Sequence, residues 1–296
     1  MDNPKTPFNR AEEDVGNIVE FGHVNVRVPD QQLAVAFYVM GLGLTRDPYL
    51  NVGTDNAWMN VGTCQFHLPV GPAQVLRGVT GLVLPDLDAL TARLAHVAPL
   101  LKGSQFSFER SATAVAVTCP WGNRIRVHAP DAARFGRMRL GMPYVEIDTA
   151  PGTAVGIARF YSEVLASPAH VKQDDGGRFA HIPIGLSESL VFRETARTLP
   201  AYDGHHIQIA VADFSGVHGR LLARGLVTEE SSQSQYRFQD IIDLDTGAVL
   251  ASIEHEVRSM RHPMYARALV NRDPAVTTTH YATGHETARW ARMLPS

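Results

Sequence analysis

The sequence predicts an α+β protein made of four copies of one strand–helix–three-strand (βαβββ) unit, arranged as two similar domains. Two internal matches carry this. GHVNVRVPD, ending at Asp30, precedes a helical run closing on Phe37-Tyr38, and YVEIDTAPG precedes a similar run closing on Phe160-Tyr161; the shift is 123 residues and also sets Glu146 on His23. GVTGLVLPDLDAL and HHIQIAVADFSGV superpose at a shift of 127, which sets His206 on Val79. A fixed period of this kind marks one supersecondary unit used repeatedly. The length agrees, since 296 residues suggest two domains of ~150.

The elements follow in order. In HVNVRVPD, His23, Asn25 and Arg27 alternate with Val24, Val26 and Val28, the period of a strand with one polar and one apolar face. QQLAVAFYVMGLGL reads as a helix stopped by Gly41 and Gly43. DNAWMNVG and TCQFHLPVG are short strands broken by glycine. The second unit runs through GLVLPD, the helix LDALTARLAHVAPLL, then SQFSFER, TAVAVTCP and GNRIRVHAP. The pattern restarts after the polar linker DAARFGRMRLGMP, with TAVGIARFYSEVL and FSGVHGRLLARGL as helices and SLVFRET and AVLASIEHEV as closing strands. The expected organisation is a tail over 1–18, a domain over 19–132, a linker over 133–139, a domain over 140–257 and an arm over 258–296. The arm has lost the period and is expected to wrap the body, to meet a partner subunit in a homo-oligomer, or to remain disordered.

Composition excludes several classes. A net charge of −3 leaves no electrostatic footprint for nucleic acid or an anionic membrane. No apolar run approaches the ~20 residues of a membrane span, and the polar N-terminus MDNPKTPFNRAEEDVG is neither signal nor transit peptide. Cys64 and Cys119 stand far apart, as free thiols in a reducing cytoplasm would. Thirteen histidines matter only if they converge.

Taken together, GHVNVRVPD with FYVMGLGL, QFHLP, LPDLDAL, CPWGNRIRV, HHIQIAVADF and DLDTGAVLASIEHE resemble the vicinal oxygen chelate superfamily over residues 20–257. That superfamily includes glyoxalase I, methylmalonyl-CoA epimerase, the bleomycin and fosfomycin resistance proteins and the type I extradiol ring-cleaving dioxygenases. Four units in one chain are most similar to the extradiol enzymes. The resemblance implies that paired units form open, curled mixed sheets around a metal, with ligands from the first and last strand of each unit.

Carried over one position at a time, the first strands offer His23, Val79, Glu146 and His206. The last strands offer Gln65 and His67 in the first unit. Arg126 stands where the family pattern has a glutamate in the second. The third unit has Arg193 or Glu194, and the fourth Ser252 or Glu254. Val79 cannot coordinate and Arg126 repels a cation, so the N-terminal site is expected to be vestigial, with His23 a hydrogen-bonded wall residue. The C-terminal half keeps Glu146, His206 and Glu254, three ligands with positions left open for substrate. His205 is a candidate acid/base, against a merely hydrogen-bonded histidine. Tyr236 is a candidate for orienting substrate, against a core aromatic. Arg193 and Arg237 are candidates for binding a substrate carboxylate, against salt bridges.

The resemblance leaves three functions open. The first is a ring-cleaving dioxygenase for a catechol-like substrate, using Fe2+ or Mn2+. The second is a glyoxalase-type isomerase, epimerase or lyase with Zn2+, Ni2+ or Co2+. The third is a metal-free small-molecule binding or resistance protein. The partner in each case is a small molecule, with vicinal oxygens in the first two.

Overall fold

The computed structural model describes residues 8–50 and 55–272. All four units form. The first is β1 (Ile18–Asn25), α1 (Gln31–Ala34), β2 (Thr45–Arg46), β3 (Asn56–Val61) and β4 (Cys64–Pro69). The second is β5 (Gly78–Val83), α2 (Leu87–Val97), β6 (Ser107–Arg110), β7 (Ala114–Thr118) and β8 (Arg124–His128). A short α3 (Ala132–Phe135) lies in the expected linker, anchored by buried Phe135. The third unit is β9 (Gly141–Thr149), α4 (Ala154–Glu163), β10 (His170–Asp174), β11 (Gly177–Ile184) and β12 (Glu188–Glu194). The fourth is β13 (His206–Val211), α5 (Phe214–Leu222), β14 (Val227–Ser232), β15 (Gln235–Ile242) and β16 (Val249–Ser259).

The aspartate that recurs after the first strand of three units has a mechanical role. Asp30, Asp86 and Asp213 are helix N-caps, each accepting backbone N–H bonds from the turn they open. Leu87, Leu90, Leu94 and Val97 then form the buried face of α2 at helical spacing. The helical run after α1 widens into a π-helical segment, Val35–Gly41. Gly41 lets α2 approach: a Cβ there would meet Val97 Cγ2 at 3.2 Å.

The strands make two eight-stranded mixed sheets, in the orders β14-β15-β16-β13-β1-β4-β3-β2 and β10-β11-β12-β9-β5-β8-β7-β6. Within each unit the first and last strands pair in parallel, and each sheet is joined at its centre by two antiparallel first strands, β1 with β13 and β5 with β9. The sheets therefore do not follow the halves expected over 19–132 and 140–257. The first unit shares a sheet with the fourth, and the second with the third. Close backbone approach fixes the second junction, where a Cβ on Gly78 would fall 1.7 Å from the Glu146 carbonyl oxygen.

Beyond β16 the chain turns back over the first unit. Arg267 pairs with Asp47 at 2.6 Å, the Asn60 amide donates to the Val270 carbonyl at 2.9 Å, and the Asn271 side chain bonds the Gly62 backbone at 3.0 and 2.8 Å. This part of the expected arm wraps the body; residues 273–296 lie outside the described residues. Among the described residues, no helix is long and apolar enough to cross a membrane.

Candidate metal centre

Register decides what meets on the polar face of the first sheet. Asn25 lies opposite His67 on one side and His206 on the other, and His206 lies opposite Glu254. One step along the strands, His23 lies between Gln65 and Gln208, and Gln208 opposes Glu256. Side chains alternate in a strand, so both rows project from the same face. Three histidines converge there. Ligand nitrogens of His23, His67 and His206 all lie within 4.8 Å of one another, and this is the one such group of three among the described residues.

The rings are held in place. His67 stacks on Trp58 with centroids 3.7 Å apart, and His23 meets Trp58, His67 and His206 edge-on at 5.1, 5.5 and 5.6 Å. Asn25 Nδ2 lies 2.6 Å from His67 Nδ1. Ligation through Nε2 requires the ring proton on Nδ1, so a bound metal would turn this amide to present its oxygen to Nδ1–H.

The Nε2 atoms of all three histidines are buried without a hydrogen-bond partner. Buried polar atoms are normally paired, so three histidines with orphaned nitrogens, clustered with ligand atoms within 4.8 Å of one another, fit a divalent metal. Protonation fits too. Burial, reinforced by nearby charged groups, holds His23 well below the usual histidine range, His67 at about 3 and His206 at about 2. The rings are therefore neutral near pH 7, the form that ligates.

Two carboxylates flank the cluster. Glu254 Oε1 is 3.4 Å from His206 Nδ1, and Glu256 Oε2 is 3.6 Å from His206 Nε2. Arg237 engages both, with Nη1 2.5 Å from Glu254 and Nη2 2.9 Å from Glu256, while Arg258 holds the other Glu256 oxygen at 2.6 Å. Ser252 bonds Asp240 at 2.7 Å, whereas Glu254 lies opposite His206, which settles the register near Gly247. Beside His23, Glu20, Gln65, Arg258 and the arm residues Met264 and Arg267 enclose a cavity of about 20 Å³.

The other residues singled out in the sequence are distributed as follows. Glu146 is not brought to His206 and Glu254. It lies on β9 in the second sheet, opposite Val79, and accepts from Arg193 Nε at 3.0 Å. Arg193 also pairs with Asp174 at 2.7 Å and covers the Phe179 ring, which makes it a salt-bridge residue of that sheet. The two positions read as lost, Val79 and Arg126, are thus in the same sheet as Glu146, and the depleted site belongs to the second and third units rather than to the N-terminal half. His23 is correspondingly a member of the cluster, not a wall residue. His205 is fully buried, and its Nδ1 bonds Asp203 at 2.6 Å. Tyr236 is 1% exposed, packs against Phe214 and His218, and donates to the Phe214 carbonyl at 3.3 Å, the core-aromatic arrangement. His67 was visible in the sequence as a last-strand residue. What would have selected it is the first-and-last-strand rule applied to the first and fourth units together.

No family model matches the chain, and no curated protein matches it by sequence. Solved structures do match by fold. Glyoxalase I from Zea mays superposes with a TM-score of 0.56 at 12% identity, covering 84% of this chain and 94% of that one. A protein from Bacillus subtilis subsp. subtilis str. 168, provisionally assigned as a dioxygenase, superposes with a TM-score of 0.53 at 14% identity, covering 95% of this chain and 97% of that one. The likeness lies in the architecture of paired βαβββ units in open mixed sheets, so the protein shares the fold of these two structures, the fold that the sequence resemblance implied.

Proposed function

We propose that the protein is a metal-dependent enzyme acting on a small molecule with two neighbouring oxygens, and that its reaction is oxidative cleavage of a catechol-like ring. The observation that carries this is the convergence of three unpartnered imidazole nitrogens on the polar face of the first sheet. His23, His67 and His206 would hold Fe2+ or Mn2+. When bound, such an ion supplies Lewis acidity and open positions at which two adjacent oxygens chelate. Two histidines from facing first strands, with carboxylates on β16 beside them, approach the ligand chemistry of non-heme Fe(II) oxygenases. Trp58 and Asn25 keep the His67 ring oriented, and the partly exposed Glu254 is positioned to accept a proton from a substrate hydroxyl.

A second reading draws on the same carboxylate. Glu254 beside the cluster suits proton transfer between adjacent carbons, the work of a glyoxalase-type isomerase with Zn2+, Ni2+ or Co2+. Oxygen uptake separates the two. With Fe2+ restored under air, the first reading expects coloured ring-cleavage products from small catechols and one dioxygen consumed per substrate. Bound metal without oxygen uptake favours the isomerase. Absence of both metal binding and turnover contradicts either enzyme and favours a binding protein.

A further inference from the structure

We infer that Arg237 sets the charge of this centre: it keeps Glu254 and Glu256 engaged, competes with the metal for them, and so suits the site to a doubly ionised vicinal-oxygen ligand. The inference rests on the metal-centre reading above. Arg237 lies on β15 opposite Glu256, and its guanidinium spans both carboxylates as a fork, at 2.5 Å to Glu254 and 2.9 Å to Glu256. Its Nε is 3.7 Å from the more exposed Glu229. The two spanned carboxylates are the ones that approach His206, at 3.4 and 3.6 Å. Without Arg237, Glu254 and the Glu256 oxygen that Arg258 does not hold would be the natural anionic ligands for an ion on the histidines.

With Arg237 in place, the groups free to ligate are three neutral imidazoles. An ion there keeps its double positive charge and faces a guanidinium held by the same carboxylates. Uncompensated charge in a buried setting is costly. The ligand that relieves it is one whose two adjacent oxygens are both ionised, as in a catecholate or an enediolate. Metal and chelating dianion then bind cooperatively, each raising the affinity for the other, and a neutral ligand of the same shape gains little.

The test is a calorimetric titration of the full chain with Co2+ alone, followed by titration of the cobalt form with 4-nitrocatechol, whose visible absorbance follows its ionisation. Arg237→Gln is expected to tighten Co2+ binding by on the order of tenfold to a hundredfold, the effect of removing one nearby unit charge. It is expected to weaken 4-nitrocatechol binding by a comparable factor. Arg237→Lys, which keeps the charge and loses the fork, should fall between. A merely structural arginine would weaken both affinities when removed, so the opposite signs are the signature. Unchanged affinities, or a loss of both, overturn the inference. If Co2+ binds and His206→Ala abolishes it while Arg237→Gln moves neither titration, this inference fails alone. If neither wild type nor Arg237→Gln binds Co2+, with or without the probe, the metal-centre reading fails with it.

Discussion

His23 and His206 sit edge-on, their ring centroids 5.6 Å apart, although they come from the first and the last of the four repeats. Antiparallel pairing of β1 with β13 creates this neighbourhood. The relation separates two sheets of the same architecture by chemistry. One brings three histidines together on its polar face. The other presents Val79, Arg126 and a Glu146 neutralised by Arg193.

Asn25 is expected to support the metal without touching it. It is the group that bonds His67 Nδ1, at 2.6 Å. Asn25→Ala should lower metal affinity by roughly 10- to 100-fold, the usual cost of losing a partner that orients a ligating histidine. Zinc titration against a competing chelator measures it. Affinity equal to wild type would mean that Trp58 stacking alone orients the ring.

The junction of the second sheet tolerates no side chain at Gly78, because a Cβ would sit 1.7 Å from backbone oxygen on β9. Gly78→Ala should destabilise the fold by roughly 1–3 kcal/mol or more, the range of overpacked substitutions. Urea denaturation reads this. Metal affinity at low temperature should stay unchanged, since the histidines lie in the other sheet.

The arm is expected to be latched by Arg267 and Asp47, paired at 2.6 Å. Cutting the pair with Arg267→Ala should speed hydrogen exchange at the backbone amides of Gly62 and Arg272, which donate to Asn271 and Thr45. Amides elsewhere in the first sheet should keep their protection. Unchanged exchange at both would show that the Asn271 bonds hold the arm by themselves.

Acid should unfold the protein through histidines outside the cluster as well as in it. Burial lowers His255 to about 4, where it bonds Tyr161 Oη at 2.5 Å and the Ile253 carbonyl at 2.8 Å. The unfolded chain takes up this proton near pH 6.5. Between about pH 6.5 and 4 the unfolded state therefore binds more protons than the folded one, and stability falls as pH falls. The slope is about 1.4 kcal/mol per pH unit for one fully buried histidine. His255→Phe should remove close to that slope from urea-denaturation free energies measured over this window. An unaltered slope would mean that His255 gains its proton without unfolding.

The repeat was legible because it is local. The polar and apolar alternation of HVNVRV and the stop at Gly41 are both written within a few residues, and each lies in an element of the expected kind. Sheet partnership is not local. Nothing in GHVNVRVPD or HHIQIAVADF states that the two strands will lie side by side, and the 123-residue shift invites each half to be read as closing on itself. That reading assigned Glu146 to His206 and left His23 behind. The same-face relation of Gln65 and His67 was readable from strand alternation. Its value emerged only once β4, β1 and β13 were adjacent. Arg237 illustrates the same limit, because its hold on Glu254 and Glu256 depends on the pairing of β15 with β16 across a bulge.

The most direct test of the centre is X-ray absorption at the metal edge of the zinc-loaded protein, which counts imidazole ligands. Convergence of His23, His67 and His206 predicts three, with nitrogen at ~2.0–2.1 Å, and a loss of bound zinc or of one imidazole in His23→Ala. A site built from Glu146, His206 and Glu254 would give a single imidazole with oxygen ligands and no response to His23→Ala. That result, or a protein that binds no zinc, would contradict the account.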